Sequence, residues 1–406
     1  MLRFGLIGRK ISHSFSPEIH SLIGDYEYKL YPLEPEELPG FVENTDLDGF
    51  NVTIPYKRDV IPLCRTLSPR AASIGSVNTM IRLEGGGFYG DNTDYYGFSS
   101  LLGTDAESFR GKKALVLGSG GASQTVCSVL SDLNIPYVVI SRSGKNNYDN
   151  LSLHLDAALI VNTTPVGMYP NNGEAPVDLR KFPSCRLVLD LIYNPFYTSL
   201  LLQAKDLGIP GRNGMLMLSA QGVKSGELFL GHKLPEELPS EIADSISRRM
   251  KNIVIIGMPG CGKTTVAAHL ANLTGRQMAD TDSMICEKTG MTIPEIFSEH
   301  GEAYFRKIET EVLRDVSKKS GLIISTGGGV VTVPENRDFI RQNSICLFLD
   351  RDSSSLPIEG RPLSKSIGIE NLLRIRMPLY KAWSDKTFLS EDCLKTAKNI
   401  KKELRL

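Results

Sequence analysis

The strongest chemical signal in the chain is a glycine-rich segment that ends in lysine and threonine. Gly257-Met-Pro-Gly-Cys-Gly-Lys263-Thr264 matches the phosphate-loop pattern G-x-x-x-x-G-K-[ST] in full, with an apolar run before it and a helical stretch after it. Glycines let consecutive backbone N–H groups surround a phosphate, the lysine reaches the outer phosphate oxygens, and the threonine hydroxyl can hold Mg²⁺. The segment therefore predicts a site for the phosphates of a nucleotide, with Mg²⁺. Its expected contacts are Gly260, Cys261, Gly262, Lys263, Thr264 and Thr265.

A second glycine turn lies earlier in the chain. Gly118-Ser-Gly120-Gly121-Ala122 directly follows the apolar run ALVL, as the pyrophosphate turn of dinucleotide-binding folds does, although Ser123 replaces the third glycine. The next apolar run ends in Ser141, Arg142 and Ser143, where an NAD enzyme usually offers Asp or Glu to the ribose 2′-hydroxyl. An arginine there favours a 2′-phosphate, so the sequence predicts NADP(H) as the cofactor.

Both turns need buried parallel strands to position them. Short apolar runs alternate with helical stretches through most of the chain, and several runs are unbroken, as expected of strands covered on both faces. The expected strands include Leu2–Gly8, Lys113–Gly118, Tyr137–Ser141, Ala158–Asn162, Leu187–Leu191, Ile253–Gly257, Leu322–Ser325 and Ile345–Leu349. Strands that alternate with helices predict an α/β fold of doubly wound layers.

The length of 406 residues predicts more than one domain. The polar segment His232–Pro239 contains two prolines and is predicted to be a connector, followed by a short helix over Ser240–Met250. The expected order is a substrate-binding α/β domain over 1–104, a Rossmann NADP-binding domain over 105–213, a return segment and connector over 214–239, and a phosphate-loop kinase domain with a parallel sheet over 240–406.

Charge and composition argue against several classes of protein. Lys+Arg and Asp+Glu both number 46, and the resulting zero net charge argues against nucleic acid as a partner, because phosphate backbones select basic surfaces. The chain lacks the run of about 18 apolar residues that a membrane span needs, and its N-terminus does not look like a secretory signal. Its seven cysteines are scattered, without a C-x-x-C pair. We therefore expect a cytoplasmic protein whose partners are small molecules, and the oligomeric state stays open.

The C-terminal part, over Asn252–Leu406, closely resembles shikimate kinase. After the phosphate loop come, in the family's order, Asp280-Thr-Asp282, TIPEIFSEHGEAYFRKIE, STGGG at Ser325–Gly329, Gly360-Arg361-Pro362-Leu363 and Arg376-Met-Pro-Leu-Tyr380. The resemblance implies that ATP phosphorylates shikimate here. It implies that Thr264 and Asp280 hold Mg²⁺. It assigns phosphoryl transfer to Lys263, Asp282 and the lid residue Arg361, and Arg361 would also contact the nucleotide. The residues that would bind shikimate are Asp282, Arg306, Gly328, Gly329 and Arg376.

The roles of two of these residues, Arg306 and Arg361, stay open. Arg306 could also be a helix-surface cation that pairs with Glu309, three residues on. The segment around Arg361 looks shorter than the usual lid of the family and lacks an obvious second arginine for the adenine side.

The N-terminal part, over roughly residues 1–245, resembles shikimate dehydrogenase. The matching segments are Ser12-His-Ser14-Phe-Ser16-Pro17, Asn51-Val-Thr53-Ile-Pro-Tyr-Lys57, Val77-Asn78-Thr79, Asp91-Asn-Thr-Asp94, Asn162-Thr-Thr-Pro-Val-Gly-Met168 and Asp190-Leu-Ile-Tyr193-Asn-Pro. A ring hydroxyl must exchange a proton when hydride moves to or from its carbon, and a lysine held by a carboxylate can relay that proton. The resemblance assigns this pair to Lys57 and Asp94. It further implies substrate contacts by Ser14, Ser16, Asn51, Thr53, Asn78, Tyr193 and Gln221, and a nicotinamide lining by Gly214 and Met217.

Together the two resemblances imply a bifunctional enzyme of aromatic amino acid (chorismate) biosynthesis. It would reduce 3-dehydroshikimate to shikimate with NADPH and phosphorylate shikimate to shikimate 3-phosphate with ATP. Two alternatives remain: a quinate/shikimate dehydrogenase joined to another small-molecule kinase, or a half that only binds its ligand. The two serines near the N-terminus and the arginine pair favour shikimate, and catalytic residue types in both halves argue against a degenerate half.

Overall fold

The computed structural model describes residues 1–352 and 369–406, which form two compact units. Unit one consists of Met1–Val166, Ala175–Tyr193 and Gln203–Ser245, and unit two consists of Gly167–Glu174, Asn194–Leu202 and Ile246–Leu406. Two sheets belong to unit one and one sheet to unit two. Two of the three sheets are entirely parallel, and helices connect their strands, so the predicted α/β class is confirmed.

The first sheet of unit one is mixed, with the strand order β2-β1-β3-β5-β6-β4. Its strands are β1 (Arg3–Gly8), β2 (Glu27–Pro32), β3 (Gly49–Val52), β4 (Thr66–Leu67), β5 (Thr79–Arg82) and β6 (Phe88–Asp91). β2 approaches β1 closely, since a Cβ added at Gly5 would lie 2.6 Å from the Lys29 carbonyl oxygen. β3 and β5 are antiparallel, and Asn51 pairs with Thr79 in their register. The end of β3 therefore meets the start of β5, which brings polar side chains of the two strands together.

The second sheet of unit one is parallel throughout, in the order β11-β10-β9-β7-β8. Its strands are β7 (Ala114–Leu117), β8 (Tyr137–Ile140), β9 (Leu159–Asn162), β10 (Leu187–Asp190) and β11 (Gly211–Arg212). Every residue of β7, β9 and β10 is buried, which explains the apolar sequence ALVL of β7 and the apolar runs LIV and LVL that precede the buried Asn162 and Asp190 at the ends of β9 and β10. The four runs predicted here are strands, each shortened by one or two residues.

The sheet of unit two is also parallel, in the order β13-β14-β12-β15-β16. Its strands are β12 (Asn252–Ile256), β13 (Met278–Asp280), β14 (Ile323–Ser325), β15 (Ser344–Asp350) and β16 (Lys386–Leu389). All five residues of β12 are buried at the centre of the sheet. The carboxyl ends of parallel strands meet at one edge, so β12, β13 and β14 deliver the phosphate loop, Asp280 and the glycine segment to the same place.

Helices cover these sheets. The helices before the phosphate loop are α1 (Ser16–Ser21), α2 (Leu38–Asn44), α3 (Pro69–Ile74), α4 (Asp94–Leu102), α5 (Ala106–Phe109), α6 (Gly121–Asp132), α7 (Ser199–Asp206), α8 (Met215–Leu230) and α9 (Leu238–Met250). The later ones are α10 (Lys263–Thr274), α11 (Thr281–Thr289), α12 (Ile293–Glu299), α13 (Gly301–Ser317), α14 (Glu335–Asn343), α15 (Ile369–Trp383) and α16 (Cys393–Leu404). The predicted helix at Ser240 begins two residues earlier, at Leu238, so the connector is shorter than expected. Among the described residues, none of the helices has the length and apolar character required to cross a membrane.

Candidate active sites

The first candidate site lies in unit one, where the segment after β3 meets the start of α4. The Lys57 Nζ atom lies 2.5 Å from Asp94 Oδ2, and Asp94 is the first residue of α4. The Lys57 side chain is 25% exposed and that of Asp94 is 10% exposed. An ammonium has three N–H donors and this ion pair uses one of them, so the carboxylate can fix the lysine while other donors serve a ligand.

A buried network of amides and hydroxyls begins next to this pair, at Thr93. Asn78 Oδ1 accepts a hydrogen bond from the Thr93 backbone N–H at 2.7 Å, and Asn78 Nδ2 donates to Gln221 Oε1 at 3.0 Å. Asn51 Nδ2 donates to Ser225 Oγ at 2.8 Å. Gln221 and Ser225 lie one turn apart on α8, so the network ties the first sheet to that helix and brings three predicted substrate residues together.

Two aromatic residues that the sequence analysis missed stand behind Asn51. The Tyr28 hydroxyl donates to Asn51 Oδ1 at 2.7 Å, and the His20 ring stacks on Tyr28 with 3.9 Å between the ring centroids. Burial lowers the pKa of His20 to about 3, so this ring is neutral near pH 7. Both residues look like ordinary core aromatics in the sequence, and no motif or spacing points to them.

The other predicted substrate residues lie near the start of α1 and after β10. Ser14 Oγ accepts from the Ser16 backbone N–H at 3.2 Å and donates to Ser16 Oγ at 3.1 Å. Tyr193 packs edge-on against Phe15, which lies between these serines, with 6.0 Å between the ring centroids, and burial raises the pKa of its hydroxyl. Thr53 directly follows β3. The structure thus brings Tyr193 to the segment that carries both serines.

The glycine turn of unit one leaves open space at the start of α6. Gly118 has a φ of 106°, and a Cβ there would lie 2.7 Å from Thr163 Oγ1, so a glycine is required. Around a Cβ added at Gly120 or Gly121, no described residue outside the turn and its helix lies within 4 Å. Backbone N–H groups at a helix start can bind a phosphate. Arg142 is exposed just after β8, the strand beside β7.

The remaining predicted cofactor contacts lie along the same edge of the second sheet or on α8. Ala122 is exposed in the first turn of α6, Ser141 is half-buried after β8, and Ser143 is exposed. Gly214 directly precedes α8, and Met217 is buried in the first turn of that helix. Further along α8, Gln221 and Ser225 belong to the amide network, so this helix carries both predicted nicotinamide contacts and predicted substrate contacts.

The second candidate site lies in unit two, at the carboxyl end of β12. Lys263 Nζ donates to two carbonyl oxygens of the phosphate loop, each at 3.0 Å. Thr264 Oγ1 donates to Asp280 Oδ2 at 2.9 Å. Asp280 also caps α11, because its Oδ1 accepts from the Asp282 backbone N–H at 3.0 Å. A hydroxyl and a carboxylate side by side offer the oxygen ligands that Mg²⁺ prefers.

A cavity of about 680 Å³ joins this loop to the predicted shikimate residues. Its lining includes Gly260, Gly262, Lys263, Thr264, Thr265, Asp282, Arg306, Gly328, Gly329 and Arg376. The Cys261 side chain is fully buried and does not line the cavity, so any contact from this residue to a nucleotide is through its backbone. The predicted lid residue Arg361 lies outside the described residues.

Asp282 faces this cavity with a carboxylate whose charge is poorly compensated. Burial and the neighbouring Asp280 raise the pKa of Asp282, and Lys263 opposes them only in part. Its Oδ1 atom is buried and has no hydrogen-bond partner in the described part of the chain. A Cβ at Gly327 would lie 2.8 Å from that oxygen, so a side chain there would crowd the carboxylate. A buried carboxylate with a raised pKa can accept a proton from a bound hydroxyl.

Two buried arginines complete the lining. Arg306 donates to Glu309 Oε2 at 2.7 Å and to Glu302 Oε1 at 3.1 Å, so the pairing with Glu309 considered above is confirmed. The Arg306 side chain is only 12% exposed, however, so it is not a surface cation. Arg376 is 3% exposed. Burial raises the pKa of Glu309 although Arg306 opposes that shift. Two guanidinium groups on one cavity are suited to bind a carboxylate.

Glu302 and Tyr380 were missed as supports of this site. The Tyr380 hydroxyl donates to the Gly328 carbonyl oxygen, and its ring stacks on Phe348 with 5.3 Å between the centroids. Spacing could have identified both residues, because Glu302 lies four residues before Arg306 and Tyr380 lies four residues after Arg376. Residues four apart on a helix share a face.

Two family models match the chain. Residues 6–80 match the model described as "Shikimate dehydrogenase substrate binding domain", and residues 259–405 match the model described as "Shikimate kinase". The shikimate dehydrogenase (NADP(+)) of Clostridium perfringens (strain 13 / Type A) is 34% identical over 271 residues, which are 61% of this chain and 100% of that protein.

Solved structures show the same relationship. A chorismate mutase/shikimate 5-dehydrogenase fusion protein from Clostridium acetobutylicum matches with a TM-score of 0.57 and 35% identity, over 61% of this chain and 97% of that chain. Shikimate 5-dehydrogenase from Thermus thermophilus, in complex with NADP(H) and shikimate, matches with a TM-score of 0.55 and 30% identity, over 60% of this chain and 99% of that chain.

Proposed function

Because the chain belongs to the shikimate dehydrogenase family and carries a shikimate kinase domain, we propose that it catalyses two consecutive reactions of aromatic amino acid biosynthesis. In the first, 3-dehydroshikimate is reduced to shikimate with NADPH. In the second, ATP phosphorylates the 3-hydroxyl of shikimate. The observation that carries the proposal is that one chain holds both the Lys57–Asp94 pair and a cavity that joins a phosphate loop to Asp282.

The geometry around Lys57 supports the reduction. NADPH supplies the hydride to the carbonyl carbon when it is bound. Lys57 donates a proton to the carbonyl oxygen as that oxygen becomes a hydroxyl, and Asp94, at 2.5 Å, holds the ammonium in position. Asn51 and Asn78 are oriented by the buried network and are assigned to the substrate hydroxyls.

The binding of the substrate carboxylate in unit one is assigned to the serine segment. The hydroxyls of Ser14 and Ser16 lie 3.1 Å apart, and Tyr193 packs against the residue between them. Thr53, directly after β3, and Gln221, on α8, are assigned to the same ligand. These groups bind an anion without a full positive charge of their own, so Lys57 is the principal cation of the site.

NADP(H) is the proposed cofactor of the reduction. The open space above Gly120 and Gly121 fits a pyrophosphate at the start of α6, and the exposed Arg142 fits a 2′-phosphate beyond β8. The name of the Clostridium perfringens relative specifies NADP(+), and the Thermus thermophilus structure contains NADP(H). Gly214 and Met217 are assigned to the nicotinamide end.

The geometry around Asp282 supports the phosphorylation. ATP supplies the phosphoryl group and Mg²⁺ offsets its charge when both are bound, with Thr264 and Asp280 as the proposed protein ligands of the ion. Lys263 is assigned to the phosphates. Asp282 orients the shikimate 3-hydroxyl and accepts its proton, for which its raised pKa is suited. Arg306, with Arg376, holds the carboxylate of the substrate.

A two-activity assay of the purified full-length chain tests the proposal. We expect NADPH oxidation with 3-dehydroshikimate, and ADP release with shikimate and Mg-ATP. NADH and quinate serve as the matched alternatives to NADPH and shikimate. If NADH or quinate were turned over more efficiently, the proposed cofactor or substrate would be wrong. If ADP release did not depend on shikimate, the kinase assignment would be wrong.

A further inference from the structure

Arg351 stands at the junction of two cavities in unit two. The first is the cavity that contains the phosphate loop, where Arg351 shares the lining with Gly262 and Thr264. The second, of about 660 Å³, has a lining that includes Asp350, Arg351, Asp352, Leu373, Met377 and Glu391. Arg351 directly follows β15, is half-buried, and belongs to the lining of both cavities.

The parallel sheet explains why this arginine lies beside the phosphate loop. β15 is parallel to β12, and Phe348 pairs with Ile256, the last residue of β12. The chain continues in register, because a Cβ at Gly257 would lie 2.6 Å from the Leu349 carbonyl oxygen. Arg351 comes two residues after Leu349, so it is delivered to the carboxyl edge of the sheet, where the phosphate loop begins.

Arg351 differs from the two other arginines of this cavity in what its charge acts on. Arg306 is paired with two glutamates, and the charge of Arg376 acts on the buried Glu309. No ion pair of Arg351 occurs among the residues that the structure describes. Burial raises the pKa of the Cys261 thiol in the phosphate loop, and the charge of Arg351 is among the smaller influences that oppose this rise. Its positive charge is therefore available to a ligand at the loop.

The second cavity does not suit a phosphate. Three carboxylates, those of Asp350, Asp352 and Glu391, line it, and like charges repel an anion. The apolar part of its lining, including Leu373 and Met377, suits an uncharged group instead. The anionic end of a nucleotide therefore belongs on the phosphate-loop side of Arg351.

We propose that Arg351 binds the phosphate groups of the nucleotide in the kinase site, and so acts as a nucleotide-affinity residue outside the phosphate loop. This inference rests on the proposed kinase function. A guanidinium offers several N–H donors in one plane and forms charge-assisted hydrogen bonds with phosphate oxygens. The contact is to phosphate oxygens, so it does not depend on which base the nucleotide carries.

Steady-state kinetics of the full-length Arg351→Gln variant test the proposal. We expect the KM for Mg-ATP to rise about tenfold or more, as the loss of a charge-assisted hydrogen bond predicts, while the KM for shikimate stays within about twofold. Arg351→Lys keeps the charge without the planar donors and should recover part of the affinity. Arg314→Gln removes a positive charge from an exposed side chain of α13 and is the matched control. An unchanged KM for Mg-ATP in Arg351→Gln would overturn the proposal.

Direct binding separates this inference from the proposed function. Calorimetric titration with Mg-ADP and with inorganic tripolyphosphate needs no turnover of shikimate, and both should bind Arg351→Gln more weakly than they bind the unmodified chain. Weaker binding of Mg-ADP alone would assign Arg351 to the nucleoside and overturn the phosphate contact. Unchanged binding of both ligands would overturn the inference completely. If the unmodified chain failed to phosphorylate shikimate but these losses occurred, the function would be wrong and the Arg351 contact right.

Discussion

The two candidate sites would bind the same small acid with different kinds of groups. In unit one the proposed substrate residues are amides and hydroxyls, and the hydrogen bonds that orient Asn51 and Asn78 come from amides, hydroxyls and backbone, with the Lys57–Asp94 pair beside them. In unit two the cavity is lined by charges, including Asp282, Arg306 and Arg376. The difference follows the chemistry, because hydride transfer needs one proton at one oxygen, whereas phosphoryl transfer collects several negative charges in one place.

The two units also differ in which buried titratable groups they contain and in how burial shifts the pKa of those groups. Unit one keeps its buried aromatic support neutral, since burial lowers the pKa of His20. Unit two buries carboxylates, and burial raises the pKa of both Asp282 and Glu309. The first site should therefore depend on the Lys57–Asp94 pair for its charge, and the buried carboxylates of the second should lower the stability of its unit.

The largest effect is expected at Lys57, the proposed principal cation of the first site. Lys57→Met removes the proton donor and keeps much of the side-chain volume, so kcat for 3-dehydroshikimate reduction should fall by about 10³-fold, within the range of general acid catalysis. Shikimate phosphorylation by the same chain should stay unchanged. Coupled assays of both activities measure this, with the exposed Lys181→Met as the control. Reduction at more than a tenth of the normal rate would remove Lys57 from the mechanism.

A slightly smaller loss of rate, with a gain in stability, is expected at Asp282. Asp282→Asn should lower kcat for phosphorylation by about 10²-fold to 10³-fold, because the amide cannot accept the proton. The pKa of Asp282 is raised in the folded state, so its charged form costs stability above the usual pKa of aspartate. The variant should therefore unfold at a higher temperature at pH 7.

The pH dependence of that gain provides a control. As the pH falls toward the usual aspartate range, the unmodified carboxylate takes up a proton, and the difference in melting temperature between Asp282→Asn and the unmodified chain should shrink. Thermal unfolding at a series of pH values from about 7 down toward the usual aspartate pKa of 3.8 measures it. If the variant were inactive and also less stable at neutral pH, the Asp282 carboxylate would stabilise the fold. That result would contradict the expectation that the buried carboxylates lower the stability of unit two.

The third expected effect is on substrate affinity. Arg376→Gln should raise the KM for shikimate in phosphorylation by about 30-fold, since it removes a charge-assisted contact. The KM for shikimate in the dehydrogenase direction should not change, because no residue of that site is altered. Steady-state kinetics in both directions provide the measurement, and Arg314→Gln is again the control. Equal changes in the two KM values would show that the variant disturbs the whole chain.

The sequence predicted best what is local in the chain. The phosphate loop and the turn at Gly118 each lie within a few consecutive residues between a strand and a helix, so their patterns determine their structure. Lys57 and Asp94 are 37 residues apart, and only the resemblance to a family could bring them together without the structure. The boundary of α9 was off by two residues because helix ends depend weakly on sequence.

Residues that act through long-range packing could not be predicted. Tyr28 reaches Asn51 across 23 residues, and no motif or spacing points to that contact. The spacing of Tyr380 from Arg376 places both on one helix face, but it does not indicate that Tyr380 reaches Gly328 across 52 residues. Arg351 belongs to no motif. Its position becomes meaningful only when the register of β15 against β12 places it beside the phosphate loop. Functional residues that come from the end of a neighbouring strand are therefore the ones most easily missed.

The smallest expected effect concerns the acid response of unit one, and it runs opposite to that of Asp282. His20 is neutral when folded, with a pKa of about 3, but it takes up a proton below its usual pKa of 6.5 when the chain unfolds. Its contribution to stability is complete above pH 6.5 and is lost as the pH falls from 6.5 toward 3, by about 1.4 kcal/mol for each pH unit. His20→Gln, which cannot titrate, should lose less stability than the unmodified chain between about pH 6.5 and about pH 5.5. Denaturant unfolding monitored through dehydrogenase activity measures this difference in slope, whatever the variant's stability at neutral pH. Equal slopes would mean that His20 is protonated in the folded state, which would contradict the neutral aromatic support inferred for the first site.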